Sequence, residues 1–158
     1  WQPVVEYGPL KALGANATAE QIFMTVCELR QSKLPDPNLL GNAGSFFKNP
    51  VVSATQAAAL KQQHPAIPCF AAGEGQNKLA AGWLIDKAGL KGFRLGNAGV
   101  HRDQALVLVN QGNASAAEIL QLAKHVASTV KQQFSVQLEP EVRFIGKSGE
   151  IDSLQAIQ

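Results

Sequence analysis

Three segments of this sequence begin with the same signal for the start of a helix, and this feature constrains the fold most strongly. In each segment a hydroxyl residue is followed three positions later by Glu or Gln, so the two side chains can bond the free amides of the first turn. The pairs are Thr18/Gln21, Ser53/Gln56 and Ser115/Glu118. The chain is therefore predicted to form at least three well-separated helices.

Apolar spacing and stop signals predict how far the helices extend. An apolar stripe after Thr18 ends before Pro35 and Pro37, which predicts a helix over about 18–32. A similar stripe after Ser115 predicts the longest helix, over about 115–133. A shorter helix is predicted from Asn77, as its cap, to Gly89, which suits a left-handed stop. The stripes consist of Ile22, Phe23, Val26, Cys27 and Leu29 in the first helix and Ile119, Leu122, Val126 and Val130 in the longest.

Short runs rich in β-branched and aromatic residues lie between the helices and are predicted to be strands. They span residues 45–47, 50–52, 105–110, 134–138 and 142–145. Strands that alternate with helices indicate an α+β fold, a mixed α/β sandwich whose strand order the pattern does not fix. The segment after Gly146 is predicted to be a polar turn and a short tail.

The composition excludes several classes of protein. The chain has 46% hydrophobic and 16% charged residues, a composition that excludes a disordered protein. A net charge of +2 is too small for the basic face that binds nucleic acid, so we expect no nucleic-acid partner. The longest apolar run, 105–109, is far below the roughly 20 residues of a membrane span, so we expect no membrane segment.

The cysteines and the first residues suggest a cellular context. Cys27 and Cys69 lack C-x-x-C spacing, so we predict free, buried thiols and a reducing, cytoplasmic location. No basic segment leads an apolar one, so we expect no export signal. Because the chain opens with Trp1-Gln2-Pro3, we expect it to begin inside a longer protein. The three histidines are dispersed, and we assign no metal site.

Glycine-rich runs mark the first candidate binding segment. The runs at 41–45 and 96–99 are predicted to be turns, and neither matches a P-loop or a dinucleotide fingerprint. The first run leads into Ser45, Lys48 and Asn49, which supply a hydroxyl, a cation and an amide beside two phenylalanines. Such a segment can hold a polar ligand against an apolar wall.

Other polar residues leave alternatives open. Lys33, Lys48, Lys78 and Lys91 would form an anion site if they converged, and otherwise are solvated surface lysines. Glu139 and Glu141 flank Pro140 and read either as solvated turn residues or as poorly solvated carboxylates at a strand start. Ser45 with His101 would suit a serine hydrolase, although no Gly-x-Ser-x-Gly motif surrounds the serine.

Four longer runs resemble a known family. They are GNAGSFFKNP at 41–50, LAAGWLID at 79–86, VHRDQALVL at 100–108 and LEPEVRFIG at 138–146. These runs resemble the UDP-N-acetylenolpyruvoylglucosamine reductases, flavoproteins that make UDP-N-acetylmuramate for peptidoglycan. The resemblance implies that residues 1–36 end the FAD-binding domain and that residues 37–158 are the substrate-binding domain. On this resemblance we expect most of the flavin lobe, the N-terminal part of such a protein, to be absent from this chain.

The resemblance also implies a reaction and the residues that perform it. NADPH reduces FAD, hydride passes from FAD to the enolpyruvyl double bond of UDP-N-acetylglucosamine enolpyruvate, and a proton follows. Ser45 matches the proton donor, with Lys33 and the backbone near Gly44 as support for the alkoxide. Glu141 matches the residue that hydrogen-bonds the developing enol, a role that favours a protonated, buried carboxyl. A third catalytic residue, an arginine, belongs to the flavin lobe, so the chain alone is expected not to turn over.

The remaining site residues are implied in two groups. The substrate contacts are Tyr7, Lys33, Asn49, Lys78, Lys91 and Gln104. The flavin contacts are Arg30, Leu34 and Arg143. Where family members carry a tyrosine that closes over the nucleotide, this chain has Phe70, which keeps stacking but loses a hydrogen bond. Two other hypotheses remain: a UDP-sugar binding module without catalysis, and the serine hydrolase.

Overall fold

The first 36 residues form a helical unit. In the computed structural model, which describes residues 1–158, the chain divides into two compact units, Trp1–Asp36 and Pro37–Gln158. Unit 1 contains a 3₁₀ helix, Gly8–Leu13, and helix α1, Ala19–Lys33. The predicted capping box is confirmed, since the Thr18 hydroxyl accepts the Gln21 N–H and the Gln21 side chain accepts the Thr18 N–H.

The apolar stripe of α1 differs from expectation, because no residue of this helix is buried. Phe23 is 65% exposed and Met24 is 52% exposed. The sequence signal therefore identified the helix and its start correctly, and the other stripe residues, Ile22, Val26, Cys27 and Leu29, are half-buried.

Unit 2 contains three antiparallel sheets. Its nine strands are β1 (Gly41–Ser45), β2 (Val51–Ser53), β3 (Cys69–Ala71), β4 (Gln76–Leu79), β5 (Arg94–Leu95), β6 (Ala98–Val100), β7 (Val107–Asn110), β8 (Phe144–Gly146) and β9 (Gly149–Ile151). The sheets have the orders β1-β7-β6-β5, β2-β4-β3 and β8-β9.

Four helices complete unit 2, and they confirm the α+β class. They are α2 (Ala54–Gln63), α3 (Ala81–Lys87), α4 (Ala116–Phe134) and α5 (Ser153–Ala156). Ser53 and Ser115 cap α2 and α4 as predicted. Helix α4 packs on β5, β6 and β7, and Leu122, Val126 and Val130 on its inner face are completely buried. This helix therefore anchors the four-stranded sheet to the core.

Two predicted elements, the start of a helix and a strand, are wrong because strand pairing or packing overrides the local signal. Asn77 does not cap a helix, since Gln76–Leu79 is the central strand between β2 and β3, and α3 begins at Ala81. Gly89 does adopt the expected left-handed conformation after α3. The predicted strand at 134–138 is absent, because α4 continues to Phe134, whose ring is buried, and ends at Ser135 in a left-handed conformation.

Smaller differences concern turns and thiols. The glycine-rich run at 41–45 is strand β1 rather than a turn, since β7 pairs along it. The tail after Gly146 contains β9 and α5. Cys27 and Cys69 are free but only half-buried. None of the helices combines the length and the hydropathy that a membrane span requires.

Candidate active site

Ser45 lies at the end of β1, immediately after a break in the strand ladder. Asn42 pairs with Val109, but Ser45 pairs with Val107, so two residues of β1 oppose one residue of β7. This is a β-bulge, and Gly44 within it has a left-handed φ of +74°. The Ser45 residue is exposed, while Phe46 and Phe47 directly after it are buried. A polar residue thus stands at the surface on a firmly anchored segment.

Backbone pairing brings the segment of Glu141 beside the end of β1. The Glu141 N–H donates to the Phe46 carbonyl at 2.8 Å, and the Lys48 N–H donates to the Glu139 carbonyl at 2.9 Å. Between these bonds, Phe47 forms an isolated β-bridge with Pro140. Residues 96 positions apart in sequence, Ser45 and Glu141, therefore lie on adjacent backbone segments. We call Ser45, Glu141 and the paired segments 46–48 and 139–141 the serine edge.

One expectation about the serine edge is not met, since Glu141 is exposed rather than buried. In the backbone near Gly44, which was expected to support an alkoxide at Ser45, the Gly44 N–H donates to the Asn42 side-chain oxygen at 3.0 Å. Sequence analysis missed Asn42, although an Asn two residues before a Gly is a typical signal for a side-chain-to-backbone turn.

The loop at 101–106 also borders the serine edge. The Phe46 N–H donates to the Leu106 carbonyl at 2.8 Å, and Gln104 is half-buried in this loop. His101 Nδ1 accepts the N–H groups of Asp103 and Gln104 at 3.3 and 3.1 Å. In a serine-hydrolase triad, by contrast, Nδ1 donates to a carboxylate and Nε2 faces the serine. No hydrogen bond joins His101 to Ser45, so the geometry does not support the hydrolase hypothesis.

A second exposed region lies on the three-stranded sheet. Lys78 in β4 is directly opposite Val51 in β2 and Phe70 in β3. Val51 is 49% exposed and Phe70 is 60% exposed, so this row faces solvent. Lys78 forms no salt bridge. We call Val51, Lys78 and Phe70 the lysine face: a cation beside an aromatic ring, without a competing carboxylate.

Asn49 lies in the loop that connects β1 to β2. Its side-chain oxygen accepts the Ala81 N–H at 2.9 Å, which caps the first turn of α3. The Asn49 amide is thereby oriented with its oxygen toward α3. Its NH₂ group remains as the donor that a ligand could use.

The four lysines of the expected anion site have different environments. Lys91 Nζ lies 2.9 Å from the Asp86 carboxylate, and Lys48 Nζ lies 3.7 Å from Glu139. Lys78 is unpaired, and Lys33 belongs to unit 1. Within unit 2, therefore, only Lys78 among these lysines offers an uncompensated charge.

The expected flavin contacts are not assembled within unit 2. Arg143 donates from Nε and Nη2 to the Glu150 carboxylate at 3.0 and 2.6 Å. These hydrogen bonds raise the pKa of Arg143 and lower the pKa of Glu150. Arg30 and Leu34 lie at the end of α1 in unit 1, and Tyr7 precedes the 3₁₀ helix and is 72% exposed.

The fold and these two regions describe a class of protein: an α+β domain that presents a serine and a carboxylate on one surface and an unpaired lysine beside an aromatic ring on another. Comparison with known families is more specific. Residues 36–145 match the family described as UDP-N-acetylenolpyruvoylglucosamine reductase, C-terminal domain. The chain belongs to this family.

Curated relatives agree with this assignment. The chain is 55% identical to the UDP-N-acetylenolpyruvoylglucosamine reductase of Pasteurella multocida and 54% identical to that of Escherichia coli K12, in each case over 99% of this chain and 46% of the relative. The chain thus spans about half the length of the curated relatives it matches. The reductase structure from Thermus caldophilus is 26% identical, with a TM-score of 0.45, over 77% of this chain and 34% of that chain.

Proposed function

We propose that this chain supplies the UDP-sugar site and the proton donor of a flavin-dependent reductase that converts UDP-N-acetylglucosamine enolpyruvate to UDP-N-acetylmuramate. Membership of the reductase family supports the reaction class. The observation that carries the proposal is the backbone pairing of 46–48 with 139–141, which holds the Ser45 and Glu141 segments side by side.

In this proposal Ser45 protonates the carbon next to the substrate carboxylate. A hydroxyl is a poor acid, so the acceptor must be strongly basic and the alkoxide must be stabilised by fixed charge or hydrogen bonds. The support implied by the family resemblance, Lys33 and the backbone near Gly44, stays a prediction, and the Gly44 N–H itself is bonded to the Asn42 side chain. Glu141 hydrogen-bonds the developing enol, and its carboxyl becomes shielded from water only when substrate covers the serine edge.

The substrate contacts follow from charge and exposure. Lys78 and Phe70 bind the nucleotide part, since an unpaired ammonium suits diphosphate oxygens and an exposed ring suits a base. The Asn49 NH₂ group donates to a substrate oxygen. Gln104, Lys91 and Tyr7 complete the proposed substrate contacts, with Lys91 the weakest because Asp86 already neutralises its charge.

FAD and NADPH are the cofactors that we propose for the whole protein, and reduced FAD would supply hydride. Arg30, Leu34 and Arg143 stay predicted flavin contacts, and the exposed guanidinium of Arg143 is paired with Glu150. We derive no reaction step through the flavin. A cytoplasmic location also stays a prediction.

The deciding experiment replaces Ser45 in the full-length protein. Ser45→Ala should bind UDP-N-acetylglucosamine enolpyruvate normally in a calorimetric titration, but form product about 10²- to 10⁴-fold more slowly, the range that general acid catalysis supplies. Ser128→Ala is the matched control, since that exposed hydroxyl bonds only its own helix. Product formation by Ser45→Ala at the unsubstituted rate would contradict the proposal.

A binding module without chemistry is the second candidate, supported by the lysine face. The 158-residue chain should then bind UDP-N-acetylglucosamine enolpyruvate near 1:1 at low salt, where charge-based contacts are least screened. Saturable binding by a full-length protein that forms no product would favour this candidate over the first.

A further inference from the structure

The bulge in β1 decides where Ser45 stands. If β1 continued its ladder without interruption from the Asn42–Val109 pair, Gly44 would oppose Val107 and Ser45 would oppose Leu106. The extra residue shifts Ser45 by one position, so that it opposes Val107 instead. Because side chains alternate between the two faces of a sheet, a shift by one residue exchanges the faces of all residues that follow. The orientation of Ser45 and the burial of the phenylalanines after it therefore depend on the bulge.

The side chain of Asn42 bonds the backbone just before β1 and the backbone within the bulge. Its oxygen accepts the Gly44 N–H at 3.0 Å, and its NH₂ group donates to the Leu40 carbonyl at 2.8 Å. Gly44 has a φ of +74°, which only glycine adopts without strain. The Asn42 amide therefore fixes the backbone of Leu40, before β1, and of Gly44, within the bulge. It thus contacts the backbone next to Ser45.

We infer that Asn42 is a positioning residue for Ser45, acting through the Gly44 N–H. The inference rests on the proposed function, because it requires Ser45 to be the proton donor. Without the Asn42 oxygen, the bulge has no side-chain bond that fixes the Gly44 peptide, and Ser45 samples positions away from the reacting carbon. A displacement of about 1 Å at such a group can cost about 100-fold in rate.

The full-length protein allows a matched test, because Asn110 is a structural counterpart of Asn42. Asn110 lies on β7 of the same sheet, is half-buried, and bonds its own loop: its oxygen accepts the Gly112 and Ala114 N–H groups, and its NH₂ group donates to the Ala114 carbonyl. It pairs with Gly41, at the end of the ladder away from Ser45. Asn110→Ala thus removes the same kind of bonds from the same sheet without touching the bulge.

We expect Asn42→Ala to lower kcat about 100-fold while KM changes by less than about threefold. Asn42→Asp keeps the acceptor for the Gly44 N–H and should restore most of the activity. Asn110→Ala should retain the kcat of the unsubstituted protein. As a readout independent of turnover, hydrogen exchange of the Gly44 amide should accelerate in Asn42→Ala and not in Asn42→Asp or Asn110→Ala.

The double variant Asn42→Ala/Ser45→Ala separates positioning from general weakening of the fold. If Asn42 acts through Ser45, the double variant should be no slower than Ser45→Ala alone, whereas multiplied losses would overturn the inference. If Asn42→Ala does not accumulate as folded protein, Gly44→Ala is the second variant; it strains the left-handed turn without a steric clash and should lower kcat at unchanged KM. Full activity in that variant would also overturn the inference.

The two proposals fail in distinguishable ways. A fully active Ser45→Ala overturns the proposed function and the inference together. An impaired Ser45→Ala with a fully active Asn42→Ala overturns the inference alone.

Discussion

The serine edge and the lysine face are both exposed and polar, but they are built differently. The serine edge is held in place by a β-bulge, a β-bridge and two buried phenylalanines. The ring centroids of these phenylalanines, Phe46 and Phe47, lie 5.1 Å apart in an edge-to-face arrangement. The lysine face consists of solvent-exposed side chains on a regular three-stranded sheet. A proton donor needs a fixed position, whereas a charged binding face needs an accessible charge, so the difference suits the two roles we propose.

Two phenylalanines provide the strongest test of this contrast. Phe47 is completely buried beneath the serine edge, while Phe70 is 60% exposed on the lysine face. Phe47→Ala should lower the free energy of unfolding by about 3–5 kcal/mol because it leaves a core cavity, whereas Phe70→Ala should change it by about 0.5 kcal/mol or less. Urea denaturation of both variants measures this, and equal losses would show that the two regions are equally anchored.

Lys78 and Lys91 test the lysine face itself. Lys78→Ala should weaken binding of UDP-N-acetylglucosamine enolpyruvate about 10- to 100-fold, the usual effect of losing a charged hydrogen bond. Lys91→Ala should have a smaller effect, because Asp86 already pairs with that ammonium. Calorimetric titration at low and high salt distinguishes the two. A larger loss from Lys91→Ala than from Lys78→Ala would mean that substrate breaks the Asp86 pair.

Asn49 lies in the chain between the serine edge and the lysine face. Its substitution tests whether one amide both stabilises the fold and binds substrate. Asn49→Ala leaves the completely buried Ala81 without its partner for the N–H and should cost about 1–2 kcal/mol of stability. Asn49→Asp keeps that acceptor but loses the NH₂ donor and adds a negative charge. It should fold normally and bind substrate more weakly. Thermal unfolding and calorimetry together check this, and intact binding in a stable Asn49→Asp would remove Asn49 from the site.

Glu118, in the first turn of α4, offers the test with the smallest expected effect. Hydrogen bonds from the backbone N–H groups of Ser115 and Asn97 lower the pKa of Glu118 below its ordinary value of 4.5. A lowered pKa stabilises the fold above pH 4.5, and this contribution is lost as the pH falls through the folded value. Glu118→Gln should therefore be less stable at neutral pH, with the difference shrinking in acid. Glu74→Gln is the control, and a difference independent of pH would contradict this account.

Helix starts were predictable because their signals are local. Thr18, Ser53 and Ser115 each bond an amide three residues away, so only a short stretch of sequence has to be correct. The predicted start of α3 was wrong because residues 76–79 form β4 instead. That strand pairs with β2 and β3, which a local pattern does not reveal. The strand predicted at 134–138 failed for a related reason, since burial of Phe134 extends α4.

The sequence named the proposed site residues but not their arrangement. The run at 41–50 pointed to Ser45 and Asn49, and the resemblance added Glu141. Neither revealed that Asp86 pairs with Lys91, that Glu150 binds Arg143, or that Asn42 takes the Gly44 amide. These contacts depend on backbone positions that a linear pattern does not encode.

The sequence alone determined the α+β class, the capped helices, the left-handed stop at Gly89 and the family, because each depends on residue identity at short spacing. Tertiary structure decided the sheet orders, the bulge before Ser45 and the pairing of 46–48 with 139–141. Antiparallel pairing joins segments far apart in the chain, and its register depends on burial and on hydrogen bonds along both strands. For that reason the sequence identifies the proposed reacting groups, whereas only the fold shows how they are arranged.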